Sequence, residues 1–328
     1  MADVGVQKLG TISAAQLTVL ERESLLRAQS RYYFNRWVKV SPFEMNEGIA
    51  RTFTRFTALT AATTALNEGE VGLGEGIATS TVTVTPNDYG SYMYLSSRLV
   101  EQGIFDPMEY SGLLGEQAFL TVETLTRNIA DAGGSAQYAG QTARASITSS
   151  DIFSEGELIK AICTLQANKA LPFAELGMRY PMIIHPHVRA DVVRDPGLRA
   201  IWENVGLRSD ANPLFGEAVG AAHGVMFFVS DLAYLNTDAG SGNVDVYYNY
   251  LLGRDSLCVA GFGARLLKYW EGGTGNKPPI TLIYFPKEHF EPLQRKLSYG
   301  WLASHHSAVL NANFYIRFEC ASSIGSNA

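Results

Sequence analysis

Two pairs of histidines and two glycine clusters are the places in the sequence where chemistry could be sought. His185-Pro186-His187 follows the apolar run Met182-Ile183-Ile184. Histidines two apart on a strand project to one side and can hold a divalent metal, as in a metal-dependent hydrolase. Pro186 instead suits the first position of a helix, which would splay the two rings, and no acidic ligand pattern accompanies them. His305-His306 are adjacent in a strand-like run, so they point to opposite faces and cannot serve one site. Gly72-Leu73-Gly74-Glu75-Gly76 lacks the G-x-G-x-x-G spacing, and its acidic residues would repel phosphate. Gly272-Gly273-Thr274-Gly275-Asn276-Lys277 lacks the Gly-Lys-Ser/Thr ending of a phosphate loop, and Pro278-Pro279 blocks a following helix. No G-x-S-x-G occurs. The expectation is a protein that is not an enzyme, with no catalytic, cofactor-binding or metal residues and no cofactor.

Cys163, Cys258 and Cys320 are far apart, odd in number and set among apolar neighbours. They read as three core thiols of a protein made in a reducing cytoplasm. The chain has 328 residues, 46% of them hydrophobic, and a net charge of −6. That balance argues against a dedicated nucleic-acid reader, which would carry a basic domain, but is compatible with a container for nucleic acid or an ordinary soluble protein. No apolar run is long enough for a membrane span, and Met1-Ala2-Asp3-Val4 does not begin a secretory leader.

Residues 11–40 read as an amphipathic helix, with Leu17, Leu20, Ser24 and Ala28 opposite Arg22, Arg27, Arg31 and Arg36. It leads into the aromatic stretch Tyr32-Tyr33-Phe34 and Trp37, which must lie against a neighbouring subunit or its own domain. Ile49–Thr57 and Thr79–Thr85 are rich in strand formers and enclose a tip of Gly and Glu. With no plain core face, the pair predicts an extended hairpin arm that needs a partner surface. Asp106 as cap, Pro107 and Glu109 then open a long helix. Its stripe Tyr110, Leu114, Ala118, Val122, Leu125, Ile129 runs to Gly133-Gly134, over about 40 Å. The stripe is expected to pack on closing strands through Val309, Leu310, Phe314 and Ile316. Beyond a polar linker, Ser154 with Glu157 caps a helix. Strands are expected at 182–184, 225–229, 244–248, 301–310 and 313–319, with a short helix from Pro186.

Several phrases, in this order, resemble the major capsid proteins of tailed bacteriophages with the Johnson fold (the Hong Kong phage type), specifically the N-four-like podovirus branch. They are Phe53 to Thr64 followed by Leu66-Asn67-Glu68-Gly69, then Leu114-Gly115-Glu116-Gln117-Ala118 and Thr124-Leu125-Thr126-Arg127-Asn128. Ile184-His185-Pro186-His187-Val188, Gly216-Glu217-Ala218-Val219-Gly220 and Leu252-Gly253-Arg254-Asp255 follow. Gly300-Trp301, Val309-Leu310-Asn311 and Ile316-Arg317-Phe318-Glu319 close the series.

The resemblance implies an α+β capsid fold divided into an N-terminal arm (1–47), an extended hairpin arm (48–95) and a peripheral domain with a spine helix (96–149). An axial domain (150–290) and return strands of the peripheral domain (291–328) complete it. It further implies self-assembly into hexamers and pentamers of an icosahedral shell around double-stranded DNA, bound without sequence preference. Its other partners would be a portal protein and scaffolding or decoration proteins, with no membrane. The location would be the virion, assembled in the bacterial host cytoplasm. The competing readings are a cellular encapsulin-like nanocompartment shell and, more distantly, the hydrolase using His185 and His187.

Overall fold

The computed structural model describes residues 33–42, 50–57, 59–63, 65, 74–96, 107–206, 220–261, 280–285 and 296–324. Most of the amphipathic segment, the arm tip at 66–73, the cap Asp106, the 216–219 phrase and the 270–279 loop therefore lie outside the described residues. Two larger sheets and one hairpin carry the chain.

After a single 3-10 turn at Asn35–Trp37 comes strand β1 (Lys39–Pro42), so residues 33–42 form no α-helix. Strands β2 (Arg51–Phe56) and β3 (Thr79–Val84) form the hairpin, antiparallel with Phe53 opposite Val82. Next come β4 (Asn87–Ser96) and the long helix α1 (Pro107–Ala132). The helix stops where expected. Gly134 adopts φ +85°, and a side chain there would meet the Tyr315 ring at 2.4 Å, so both backbone and space demand glycine.

Then follow β5 (Ser135–Tyr138), α2 (Glu155–Ala167), β6 (Tyr180–Ile184), α3 (Pro186–Arg194) and α4 (Pro196–Gly206). Short β7 (Ala221–Ala222), β8 (Val225–Val229), short β9 (Leu235–Asn236), β10 (Val246–Leu252) and β11 (Leu257–Gly261) come next. The chain closes through β12 (Ile280–Phe285), β13 (Lys296–Val309) and β14 (Tyr315–Cys320). Ser154 stands at the α2 N-cap but makes no side-chain cap bond, so the expected capping box does not form. Glu157 instead accepts from Gln137 and Lys160.

The five-stranded sheet runs β1-β11-β13-β12, with β4 also paired along β13 from Ser96↔Lys296 to Asn87↔His305. Strand β13 alternates: Leu297, Tyr299, Trp301 and Ala303 turn inward against Leu114, Ala118, Phe119 and Val122 of α1. The helix stripe thus meets closing strands as expected, but through other partners. Phe314 and Ile316 belong to a different core, and Leu125 is only half-buried. A straight helix drifts across a strand, so a long stripe cannot keep one partner along its whole length.

The seven-stranded sheet runs β5-β14-β10-β6-β8-β7, with β9 beside β10. All seven residues of β10 are buried, which is why its sequence shows no polar alternation. Tyr247 and Leu251 face a core made with Leu158, Ile162 and Leu165 of α2, Val188 and Val192 of α3, and Leu198 and Trp202 of α4. Val246, Tyr248, Tyr250 and Leu252 face the opposite core, where Phe34, Trp37 and Val38 are packed. Of the two alternatives for the aromatic stretch, Phe34 and Trp37 thus lie on their own subunit.

Candidate assembly surface

The hairpin departs from expectation at its base. Antiparallel pairing puts Phe53, Val82 and Val84 on one face, where Val84 is fully buried against Cys258 and Ala260 of β11. A self-burying face exists there because the two valines alternate with outward threonines; Thr52 and Thr83 meet through their hydroxyls at 3.2 Å. Farther out, Phe56 (68% exposed), Leu59 (58%) and Ile77 (68%) have their apolar side chains largely in solvent. Beyond the paired strands, the Glu75 carboxylate accepts from the Thr60 backbone N–H at 3.1 Å and holds the two sides together.

A second apolar surface lies on the outer face of β4 and β13. Tyr92, Tyr94 and Leu302 are exposed there, the two tyrosine rings meeting edge to face at 5.0 Å. Lys296 stands over the Tyr94 ring. The alternation in Tyr92-Met93-Tyr94-Leu95 was the available sequence signal for this face, since Leu95 points inward and both tyrosines outward.

The His185 and His187 rings are placed by local contacts. Pro186 does open α3, but the rings of His185 and His187 are not splayed: they stand edge to face with centroids 4.8 Å apart. The cause is the cap itself. His185 Nδ1 accepts the His187 backbone N–H at 3.2 Å, which folds one ring over the next residue. His187 Nδ1 meets the Tyr247 hydroxyl at 2.8 Å. Burial, then the His187 charge, lowers the His185 pKa to about 4, with Asp231 pulling the other way. One nitrogen of each ring is thus engaged, and no group of three or more His, Cys, Asp or Glu that could hold a metal occurs among the described residues.

His305 and His306 do alternate, His305 inward and His306 half-buried. His305 Nε2 lies 2.8 Å from the Ser307 hydroxyl and 3.2 Å from that of Thr126, and burial holds its pKa down at about 4. Cys258 and Cys320 are buried, and desolvation raises both thiols, Cys258 to about 11. Cys163 is exposed, contrary to expectation. It follows buried Ile162 by one helical step of about 100°, which turns it outward into a cleft of about 780 Å³ beside β5. Glu157, which lines the same cleft, is bonded to Gln137 and Lys160.

The polar group that sequence reading missed is Glu123. It is 1% exposed and sits next to Val122 inside the apolar stripe. Its carboxylate accepts the backbone N–H of Tyr33 (3.2 Å), Phe34 (2.7 Å) and Asn35 (3.0 Å), and Asn35 Nδ2 at 2.9 Å. A second buried carboxylate, Glu319, is held between Arg144 (2.6 Å) and Arg317 (2.8 Å), whose guanidinium groups both stand over the Tyr248 ring. No helix among the described residues is long and apolar enough to cross a membrane.

No family model matches the sequence, and no curated protein is similar to it. Similarity to solved structures extends over nearly the whole chain. The capsid of Ralstonia phage GP4 matches with a TM-score of 0.68 at 13% identity, covering 91% of this chain and 92% of that one. The capsid of Cyanophage Pam1 matches with a TM-score of 0.66 at 13% identity, covering 90% and 93%. A virus-like particle from Pyrococcus furiosus matches with a TM-score of 0.52 at 12% identity, covering 92% and 98%. At these identities the likeness establishes the fold. The chain is α+β and has the Hong Kong phage-type fold of phage capsid proteins.

Proposed function

We propose that this chain is the major capsid protein of a tailed double-stranded-DNA bacteriophage, a self-assembling shell subunit and not an enzyme. The observation that carries the reading is the match to phage capsids over about nine-tenths of both chains. In this reading the subunits form hexamers and pentamers of an icosahedral shell in the bacterial cytoplasm and end in the virion. Portal protein, and scaffolding or decoration proteins, join them. Packaged duplex DNA is contacted through phosphates without sequence preference, as suits a chain of net charge −6. Membership of the N-four-like branch rests on the sequence phrases.

The division into arms (1–47, 48–95), peripheral segments (96–149, 291–328) and axial domain (150–290) is part of the same proposal. The hairpin arm lies on a neighbouring subunit; the exposed Phe56, Leu59 and Ile77 support this, because apolar side chains gain stability only where something covers them. Negative-stain images of the purified chain are expected to show closed particles or capsomer rings. Deleting residues 66–77 is expected to abolish them while leaving a folded subunit. A chain that stays monomeric under all assembly conditions refutes the proposal, and normal particles from the deletion refute the role of the arm.

A second reading is favoured by the Pyrococcus furiosus virus-like particle, of which 98% is covered. A cellular encapsulin-like compartment would enclose a protein cargo. Particles isolated from their native source with a protein cargo and no duplex DNA would decide for it.

A further inference from the structure

We propose that the loops at one end of the seven-stranded sheet form a basic platform that grips the phosphates of duplex DNA through Arg36, Lys169, Arg179 and Arg254. The inference rests on the shell reading above and adds to it the surface that meets the packaged duplex. Strand pairing brings these loops together. The end of β10 lies beside the start of β14, Leu252 opposite Tyr315, and Leu251 pairs with Met182 near the start of β6. Strands β1 and β11 begin side by side, Lys39 opposite Cys258. The turn after α2, the 170–179 loop, the 253–256 turn and the start of β1 therefore converge.

Further contacts tie the loops to one another. The Arg254 backbone N–H donates to the Leu171 carbonyl at 2.8 Å, and that of Gly253 to the Phe314 carbonyl at 2.8 Å. Trp37 stands edge to face with Phe173, ring centroids 5.5 Å apart, and Arg36 lies over the Trp37 ring. Lys169 and Met178 adopt φ of +60° and +62°, left-handed conformations that favour glycine. Backbone bonds close both turns: the Lys169 N–H donates to the Gln166 carbonyl at 2.9 Å, and the Met178 N–H to that of Phe173 at 3.1 Å. The side chains on these turns thus start from a defined backbone.

Charge selects the partner. Arg36, Lys39, Lys169, Arg179 and Arg254 are exposed there beside the carboxylates of Glu175 and Asp255, on a chain of net charge −6. Lys39 is paired with Asp255 at 3.2 Å, and Arg254 meets the same carboxylate only at 3.9 Å. Among the described residues no carboxylate pairs with Arg36, Lys169 or Arg179. The C-terminal end of α2 accounts for a cation at Lys169, but not for the others around it. Leu171 and Met178 are also exposed on the platform, which makes a neighbouring subunit the rival occupant. The excess of cations favours a polyanion, because each cation that meets a phosphate releases a condensed counterion.

Fluorescence anisotropy tests this, with a labelled duplex of about 20 base pairs titrated with unassembled full-length chain at about 50 and about 200 mM salt. Four phosphate contacts predict an affinity that falls roughly 150-fold between the two, equally for AT-rich and GC-rich duplexes. In a Lys169→Gln, Arg179→Gln, Arg254→Gln chain the fall should shrink to roughly 3-fold. A control that loses the same charge from exposed positions elsewhere, Arg55→Gln, Arg189→Gln, Lys296→Gln, should keep the native fall. Native salt dependence in the platform variant overturns the proposal, as do equal effects of the two triple variants. If the platform variant does not fold, each single change should reduce the fall roughly 3-fold, and single changes without effect overturn it. Closed particles should not take up added duplex, because the platform faces inward; binding to them that the platform variant loses overturns the proposal. A platform variant that keeps native DNA binding but forms no particles would make the loops a subunit contact, overturning the proposal and leaving the shell reading intact. Failure of the native chain to form particles refutes the shell reading, whereas the salt dependence of the variants decides the platform.

Discussion

Three leucines on α1 differ mainly in what covers them, and truncating each in turn tests the register of the helix on β13. Leu114 is 4% exposed and packed with Leu297, Tyr299 and Trp301. Leu125 is half-buried, and Leu120 is 46% exposed on the opposite side. A buried Leu→Ala change typically costs about 2–5 kcal/mol, because it loses both transfer free energy and the atoms that filled the space. Leu114 meets rigid aromatic neighbours: the Trp301 ring is pinned through its Nε1–H to Gln117, so the cavity cannot collapse readily. Leu114→Ala should therefore cost about 3 kcal/mol or more. Leu125→Ala, losing contacts on one side only, should cost about 1–2 kcal/mol, and Leu120→Ala about 0.5 kcal/mol or less. Urea unfolding of the unassembled subunit measures all three, with a circular-dichroism signal to avoid dependence on Trp301. A Leu120→Ala cost equal to that of Leu114→Ala would mean that the helix is rotated about its axis relative to the sheet. The reasoning would then fail, whatever the absolute values.

Acid should destabilise the fold through His305. A histidine held at about 4 when folded and about 6.5 when unfolded gives stability that is complete above pH 6.5 and lost as pH falls toward 4, about 3 kcal/mol in all. His305→Gln is read by its change in the pH slope of the urea midpoint; no change would exclude His305 as the group. His185→Asn should preserve the α3 cap and native stability, whereas His185→Ala should lose about 1 kcal/mol. Stoichiometric zinc in protein purified without added metal, lost in a His185→Ala, His187→Ala chain, would contradict the structural role of both rings. Arg317→Met leaves Glu319 fully buried with only Arg144 against it and should cost about 2–4 kcal/mol in thermal or urea unfolding.

The parts of this fold that were legible in the sequence are those where one local rule decides. The 26-residue length of α1 follows from its stripe and from the glycine pair whose backbone and space admit little else. The hairpin strands, β6, β8 and the opening of α3 at Pro186 follow in the same way from composition and a helix-starting proline. What could not be read is partnership across sequence distance. Val82 and Val84 look like half of a weak strand until β11, some 175 residues later, supplies Cys258 and Ala260 as the other half of their core. Glu123 looks like a solvated charge within an apolar stripe, because nothing local indicates that three N–H groups about 90 residues away will converge on it. The same gap explains the histidine rings. Pro186 predicted the helix correctly, yet the ring geometry follows from a side-chain cap that competes with splaying and has no sequence signature of its own.

The surfaces that remain uncovered have a related logic. Within one subunit every strand of the seven-stranded sheet finds cover for its apolar side chains, on both faces at β10. The five-stranded sheet does not: α1 covers one face, and Tyr92, Tyr94 and Leu302 stand open on the other. The hairpin repeats the pattern, buried at Val84 and open at Phe56 and Ile77. Among the described residues these are two separate apolar surfaces, which make heterologous, non-self-matching contacts available. Such contacts generate rings when the rotation closes. In the proposed shell, packing the hairpin surface of one subunit on the β4–β13 surface of the next would cover both.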